Sequence, residues 1–260
     1  MTKLLKINDL NSENIASICD HTFLYRSESF KKTVRENESC VSLRKELFLN
    51  FLNETINLKF SPHAICVRPE DVSFALNFLK EHDKEKILVA SVVGFPDGSH
   101  YSTDFKIFET KLAIAAGAKE IDMVINYEKL KKGDFEFVCE EIKAVVFEAH
   151  KFDVLVKVIL ENSELIKEQI KKACELCEAA NVDFVKTSTG FSSYGALVED
   201  LNIMRKNFSK GVKASGGVNI SNVKKILFSM SGRDDGFIDL NPLKVRIGES
   251  SLLIGLDDGY

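Results

Sequence analysis

The 260-residue chain has no apolar run long enough to cross a bilayer. Its longest, from Ile87 to Phe95, is broken by Ser91 and Gly94 and falls well short of the ~20 residues that a membrane helix needs. The opening MTKLLKINDL lacks the apolar core and cleavage site of a secretory signal. An excess of basic charge is also missing: a formal net charge of -4 gives no global attraction for nucleic acid or anionic membranes. Of six cysteines only Cys174 and Cys177 form a CxxC, with no second pair and no nearby histidine. Two core thiols on a helix outweigh a metal site there, and a reducing cytoplasm is the expected compartment. No His/Asp/Glu cluster has metal-ligand spacing, and no glycine-rich turn follows the first strand as in dinucleotide-binding sheets. Neither metal nor cofactor is expected.

What is present is a soluble composition, 45% hydrophobic and 28% charged, with short β-branched runs that recur along it. They span Ile15 to Cys19, Ala64 to Val67, Ile87 to Val93, Glu120 to Ile125, Val154 to Leu160, Asp183 to Lys186, Val212 to Ala214, and Val245 to Ile247. Between them lie segments of helical spacing, such as Val72, Ala75, Leu76 and Leu79, or Ile220, Val223, Leu227 and Met230. Pro69 suits a first helical position, Asn162 and either Asn219 or Ser221 suit N-caps, and Gly117 suits a helix exit. The repeat of roughly 30 residues is that of a βα unit, whose strands run parallel. Eight units predict a closed (β/α)8 TIM barrel, with a doubly wound open sheet as the alternative. No linker divides the chain, so residues 1–260 are expected to be one domain. The polar stretch from Tyr25 to Cys40, followed by an amphipathic segment from Leu43 to Leu58, reads as a helical elaboration near the N-terminus.

Charged residues inside apolar strands stand out against this pattern: Asp122 in EIDMVIN, Lys157 in VLVKVILE, Lys186 in DFVKTSTG and Lys213 in GVKASGG. One such lysine points outward or snorkels more often than not. Three in late strands of a barrel without free edges each need a specific polar environment. A free lysine amine is neutral in roughly one molecule in 2500 at pH 7, and a pKa near 7.5 would raise that to roughly a quarter. Lys213 is placed to exert that effect on Lys186, making Lys186 the expected imine-forming nucleophile. Asp122 would relay protons, with a structural salt bridge as its other reading. Thr189-Gly190, Ser215-Gly216-Gly217 and Gly248-Glu249-Ser250-Ser251 follow late strands, where small residues let backbone N–H groups approach an anion.

Seven blocks in order carry a resemblance over nearly the whole chain: CDHTFL at Asp20, AICVRP at Cys66, EIDMVINY at Asp122, VKVILE at Lys157, FVKTSTGF at Lys186, VKASGGV at Lys213, and RIGESS. They resemble deoxyribose-phosphate aldolases, class I enzymes of deoxynucleoside breakdown. The resemblance implies a single barrel that reversibly cleaves 2-deoxy-D-ribose 5-phosphate to D-glyceraldehyde 3-phosphate and acetaldehyde without a cofactor. It casts Lys186 as the imine lysine, Lys213 as its pKa-lowering neighbour, and Asp122 as an acid/base acting through water. Asp20, Thr22, Cys66, Lys157 and the terminal Tyr260 take substrate-facing or supporting roles. Thr189, Gly190, Gly216, Gly217, Gly248, Ser250 and Ser251 form the phosphate site. Its partners would be a small phosphosugar and aldehydes rather than nucleic acid or membrane, and a homodimer is compatible with it. Asn219 where family members often carry arginine, Glu249 in place of a small residue, and the uncharged Phe191 depart from the pattern. They predict weaker phosphate binding, with Arg246 and the backbone carrying more of it. A related class I lyase for another phosphosugar and a non-catalytic phosphometabolite-binding barrel are the alternatives.

Overall fold

The computed structural model describes residues 4–34 and 39–257. Eight parallel strands close into a barrel: β1 (Cys19–Thr22), β2 (Ala64–Val67), β3 (Leu88–Val93), β4 (Glu120–Val124), β5 (Leu155–Ile159), β6 (Phe184–Lys186), β7 (Gly211–Ser215) and β8 (Val245–Glu249). Each pairs with the next in sequence, and β8 closes on β1. Helices between consecutive strands cover the outside, so the strands are buried on both faces and read as nearly unbroken apolar runs. Two short strands, Leu4–Lys6 and Phe237–Asp239, pair antiparallel outside the barrel.

The first strand begins later than its sequence pattern suggests. Ile15 belongs to a short helix, Ser12–Ala16, opened by the Asn11 side chain accepting from Asn14 N–H at 2.9 Å. The true strand, CDHT, has three polar residues of four: alternation sends Asp20 and Thr22 into the lumen and leaves Cys19 and His21 facing outer helices. The short helix and the 3-10 turn Ile7–Asp9 lie ahead of the first strand, while within the expected elaboration the polar stretch holds the 3-10 turn Ser27–Phe30. The segment beyond them forms the first outer helix of the barrel, Cys40–Asn57.

Local signals place the helices. Pro69 opens a 3-10 turn that leads into helix Val72–Glu81. Gly117 leaves helix Thr103–Ala115 at φ +103, a backbone conformation that calls for glycine. Asn162 starts a 3-10 turn rather than capping helix Lys167–Ala179, whose Gln169 side chain accepts from Ile166 N–H instead. Asn219 accepts from Ser221 N–H in the turn ahead of helix Val223–Ser231.

The main core lies between sheet and helices, and a smaller apolar cluster of Leu24, Cys66, Ala90, Val92, Phe95, Val124 and Ile159 forms separately. Full burial of each aliphatic side chain contributes ~1.5–3 kcal/mol. The charged side chains that strand alternation sends into the lumen must therefore satisfy one another.

Candidate active site

Strand register builds a compact ionic lattice within the barrel. Asp122 on β4 stands opposite Lys157 on β5, Lys186 on β6 opposite Lys213 on β7, and Lys213 opposite Arg246 on β8. Asp122 Oδ2 accepts from both Lys186 Nζ and Lys213 Nζ at 2.8 Å, and its Oδ1 accepts from Lys157 Nζ at 2.8 Å. Lys213 also donates to Asp20 at 2.5 Å, and Lys157 to Glu120 at 2.5 Å. Arg246 spans the lattice from below, bonding Asp20, Glu120 and the Pro242 carbonyl. Every member is buried, Lys186 retaining 2% exposure.

Burial alone would raise the Asp122 carboxyl, but the ammonium groups of Lys157, Lys186 and Lys213 outweigh it and hold Asp122 well below the usual carboxylate range. Burial likewise opposes the charge on Lys213, yet Asp122 and Asp20 push its pKa up, so it remains an ammonium. Asp20 and Glu120 are lowered in the same way against the penalty of burial, with Arg246 and Lys157 among the charges responsible.

Above the lattice a cavity of about 330 Å³ opens at the C-terminal ends of β1, β6, β7 and β8, the end of a barrel where reactive groups collect. Lys186 is the member of the lattice that lines it. The walls are Thr22, Leu24, Tyr25 and Phe191 on one side and the three small-residue loops on the other. Thr189, Gly190, Gly216, Gly217, Gly248, Ser250 and Ser251 all lie on the cavity, as the sequence suggests. Among the described residues, the N–H groups of Gly190, Gly217, Ser250 and Ser251 meet no protein acceptor. The Ser215 hydroxyl is buried without a partner, and Gly248 is glycine because a Cβ there would stand 2.4 Å from that oxygen. Such a rim of unspent donors suits an anion.

Other expected site residues are placed differently. Arg246 does not line the cavity: as an inward residue early in β8 it lies beneath Lys213, with its guanidinium occupied by the lattice. Lys157 is likewise wholly buried below the cavity. Cys66 Sγ lies 3.9 Å from Asp122 Oδ2, and burial, reinforced by that carboxylate, pushes its thiol up to about 11. It is a protonated packing group. Thr22 lines the cavity and donates to the Asp20 carbonyl at 2.8 Å. Tyr260 lies outside the described residues. Glu249 borders the cavity, but its carboxylate turns to the outer side of the sheet, accepting from His21 Nδ1 at 2.7 Å and from Leu252 N–H at 2.6 Å. Phe191 packs against Tyr25 and Phe95 at the mouth, with ring centroids 5.8 and 5.4 Å apart.

Glu120, His21 and Glu161 are absent from the sequence reading. Glu120 was findable, since it sits two residues before Asp122 and strand alternation places both on one face. His21 meets Glu54 and Glu249, which are remote in sequence, and leaves no local signal.

A family model described as DeoC/LacD family aldolase matches residues 24–238, a span that includes Asp122, Lys157, Lys186 and Lys213. The chain belongs to this aldolase family. Within it, the aldolase is 46% identical over 176 residues to deoxyribose-phosphate aldolase of Thermococcus gammatolerans, covering 67% of this chain and 76% of that one. It is 44% identical over 207 residues to deoxyribose-phosphate aldolase of Bacillus cytotoxicus, covering 79% and 83%. A crystal structure assigned as deoxyribose-phosphate aldolase from Coccidioides immitis superposes with a TM-score of 0.74 at 31% identity, covering 96% of this aldolase and 87% of that chain. No helix among the described residues is long and apolar enough to cross a membrane.

Proposed function

We propose that this aldolase reversibly cleaves 2-deoxy-D-ribose 5-phosphate to D-glyceraldehyde 3-phosphate and acetaldehyde through an imine on Lys186. The observation that carries the assignment is that Lys186 alone joins the lattice to the cavity. The lattice sets four basic side chains against three carboxylates, so it is neutral when one amine carries no proton. Lys186 has a single carboxylate contact, whereas Lys157 and Lys213 each have more than one. Lys186 and Lys213 meet on the one oxygen, Asp122 Oδ2, each at 2.8 Å, so the two amines are neighbours and only Lys186 opens to the cavity.

In the cleavage direction the Lys186 amine adds to the sugar aldehyde, and the carbinolamine loses water to give a protonated imine. The C–C bond breaks as the C3 hydroxyl gives up its proton, and the bonding pair flows into the iminium to leave an enamine. D-glyceraldehyde 3-phosphate departs. The enamine carbon then takes a proton, and water releases acetaldehyde. Asp122, bonded to Lys186, is the acid/base for these transfers through a water, and Lys213 holds it in place. The phosphate rests on the free N–H groups of the rim. The binding-only alternative is not favoured, because the relatives are aldolases. The reading extends to one domain over residues 1–260, to deoxynucleoside breakdown in the cytoplasm, and to a homodimer. Phe105, Phe108 and Leu112 form an exposed stripe on helix Thr103–Ala115 that suits the dimer contact.

Borohydride trapping with acetaldehyde, followed by peptide mapping, tests the assignment. A reduced adduct on Lys186 is expected. An adduct on another lysine, or none, overturns it.

A further inference from the structure

Glu161, just past the end of β5, has no part in the chemistry above, yet it stands directly behind Thr189 of the cavity wall. Its backbone is left-handed, φ +56, a conformation that a side chain with a Cβ rarely adopts. It is held there by its neighbours: Leu160 N–H donates to the Lys186 carbonyl and Asn162 N–H to that of Thr187, both at 2.9 Å. The carboxylate is buried, 1% exposed. Its Oε2 takes both donors of Thr189, the N–H at 3.2 Å and the hydroxyl, while Oε1 has no hydrogen-bond partner. Thr189 lines the cavity beside the free N–H of Gly190, and its Oγ1 also accepts from Phe191 N–H at 3.1 Å.

We propose that Glu161 is a positioning residue for the anion end of the cavity, and that binding of a dianion there is coupled to uptake of one proton by Glu161. The inference rests on the reading that the rim takes the phosphate of the substrate. An ionised Glu161 spends the donors of Thr189 and sets a fixed negative charge behind the anion. The backbone is fixed by its neighbours' bonds and the side chain is enclosed, so a change of charge is the relief that needs no movement of the wall. With a proton taken from solvent, Glu161 donates to Thr189 Oγ1, and the threonine hydroxyl turns its own proton to the anion. Thr189 Oγ1 then accepts from Glu161 and Phe191 and donates once, within the capacity of a hydroxyl. Burial pushes the Glu161 carboxyl up, against the Thr189 hydrogen bonds and the charge of Lys186. Tyr194, in the loop after β6, and Tyr127, after β4, also feel its charge.

The test is calorimetric titration of the whole protein with sulfate, dianionic near neutral pH, in buffers of differing ionisation enthalpy. Wild type should take up protons as sulfate binds, with a Kd rising by up to ~tenfold per pH unit where Glu161 is ionised when free. Glu161→Gln should bind with neither the uptake nor the slope. Thr189→Val, which lacks only the relay hydroxyl, should bind ~tenfold more weakly. No sulfate binding, no uptake in wild type, equal uptake in Glu161→Gln, or unchanged affinity in Thr189→Val overturns the proposal. Trapping with acetaldehyde on the unaltered protein reads the imine without an anion, so failure of one reading is told apart from failure of the other.

Discussion

Two levels of the lumen sit one above the other and treat polar groups in opposite ways. Below Lys186, Arg246, Lys157 and Lys213 each bind more than one acidic partner, and the carboxylates of Asp20, Glu120 and Asp122 are shared among them. Above it, the rim offers backbone N–H groups and the Ser215 hydroxyl without acceptors. The lower level is complete in itself, so it fixes geometry and excludes ligands. The upper level is completed by what binds there. Lys186 reaches across the boundary, taking its orientation from one level and its substrate from the other.

Substitution at the boundary should have the largest effect. Lys186→Arg keeps the positive charge beside Asp122, but a guanidinium stays protonated and forms no imine. Turnover should fall by at least ~10³-fold with no borohydride adduct, and retained turnover would refute the role of this amine.

One step down, Arg246→Met deprives Asp20 and Glu120 of a buried partner, which should destabilise the fold by ~3–5 kcal/mol. The expected loss in a thermal melt is on the order of 10 °C. A melt unchanged by this substitution would mean that the lower level is not a structural unit.

Outside the barrel wall, His21 sharpens the contrast through pH. Burial opposes its charge, but hydrogen bonds to Glu249 and Glu54 raise its pKa to about 9. Because the folded pKa exceeds the unfolded value near 6.5, stability from this group is complete below that value and is lost as pH rises through 9. The lattice carboxylates act oppositely: their pKa values are lowered, so their contribution is present above the ordinary carboxylate range and disappears as pH falls below it. Melting midpoints should therefore decline at both ends, and His21→Gln should flatten the alkaline limb alone.

The smallest effect expected is at the rim. Asn219→Arg adds a cation to a cavity whose lining has no basic side chain besides Lys186. The KM for 2-deoxyribose 5-phosphate should fall about tenfold, in line with one charge-assisted hydrogen bond. An equal change with unphosphorylated 2-deoxyribose would show that the arginine does not read the phosphate.

The contrast between the levels also explains what the sequence discloses. Strand spacing and three misplaced lysines foretell the barrel and the meeting of Lys186, Lys213 and Asp122, because period and alternation are local. The start of β1 is obscured by its mostly polar composition, of which Asp20 and Thr22 serve the lumen and His21 the outer side. Arg246 reads as a phosphate ligand from its proximity to Gly248, yet two residues along a strand is the distance from rim to lattice. The expectation that Lys213 acts as a free like charge on Lys186 meets Asp20, 193 residues away. Such partners lie beyond any spacing rule, as do those of His21. Glu161 follows directly on the VKVIL strand, and nothing in its sequence marks a left-handed backbone.

The aromatic mouth also gives the protein an optical handle. The chain contains no tryptophan and five tyrosines, and Tyr25 stands on the cavity wall against Phe23, Phe30 and Phe191. Emission in the native protein therefore comes from phenols, one of them in the path of the ligand. A Phe191→Trp substitution would place a lone indole at the entrance, where its emission colour registers the arrival and departure of substrate without a label.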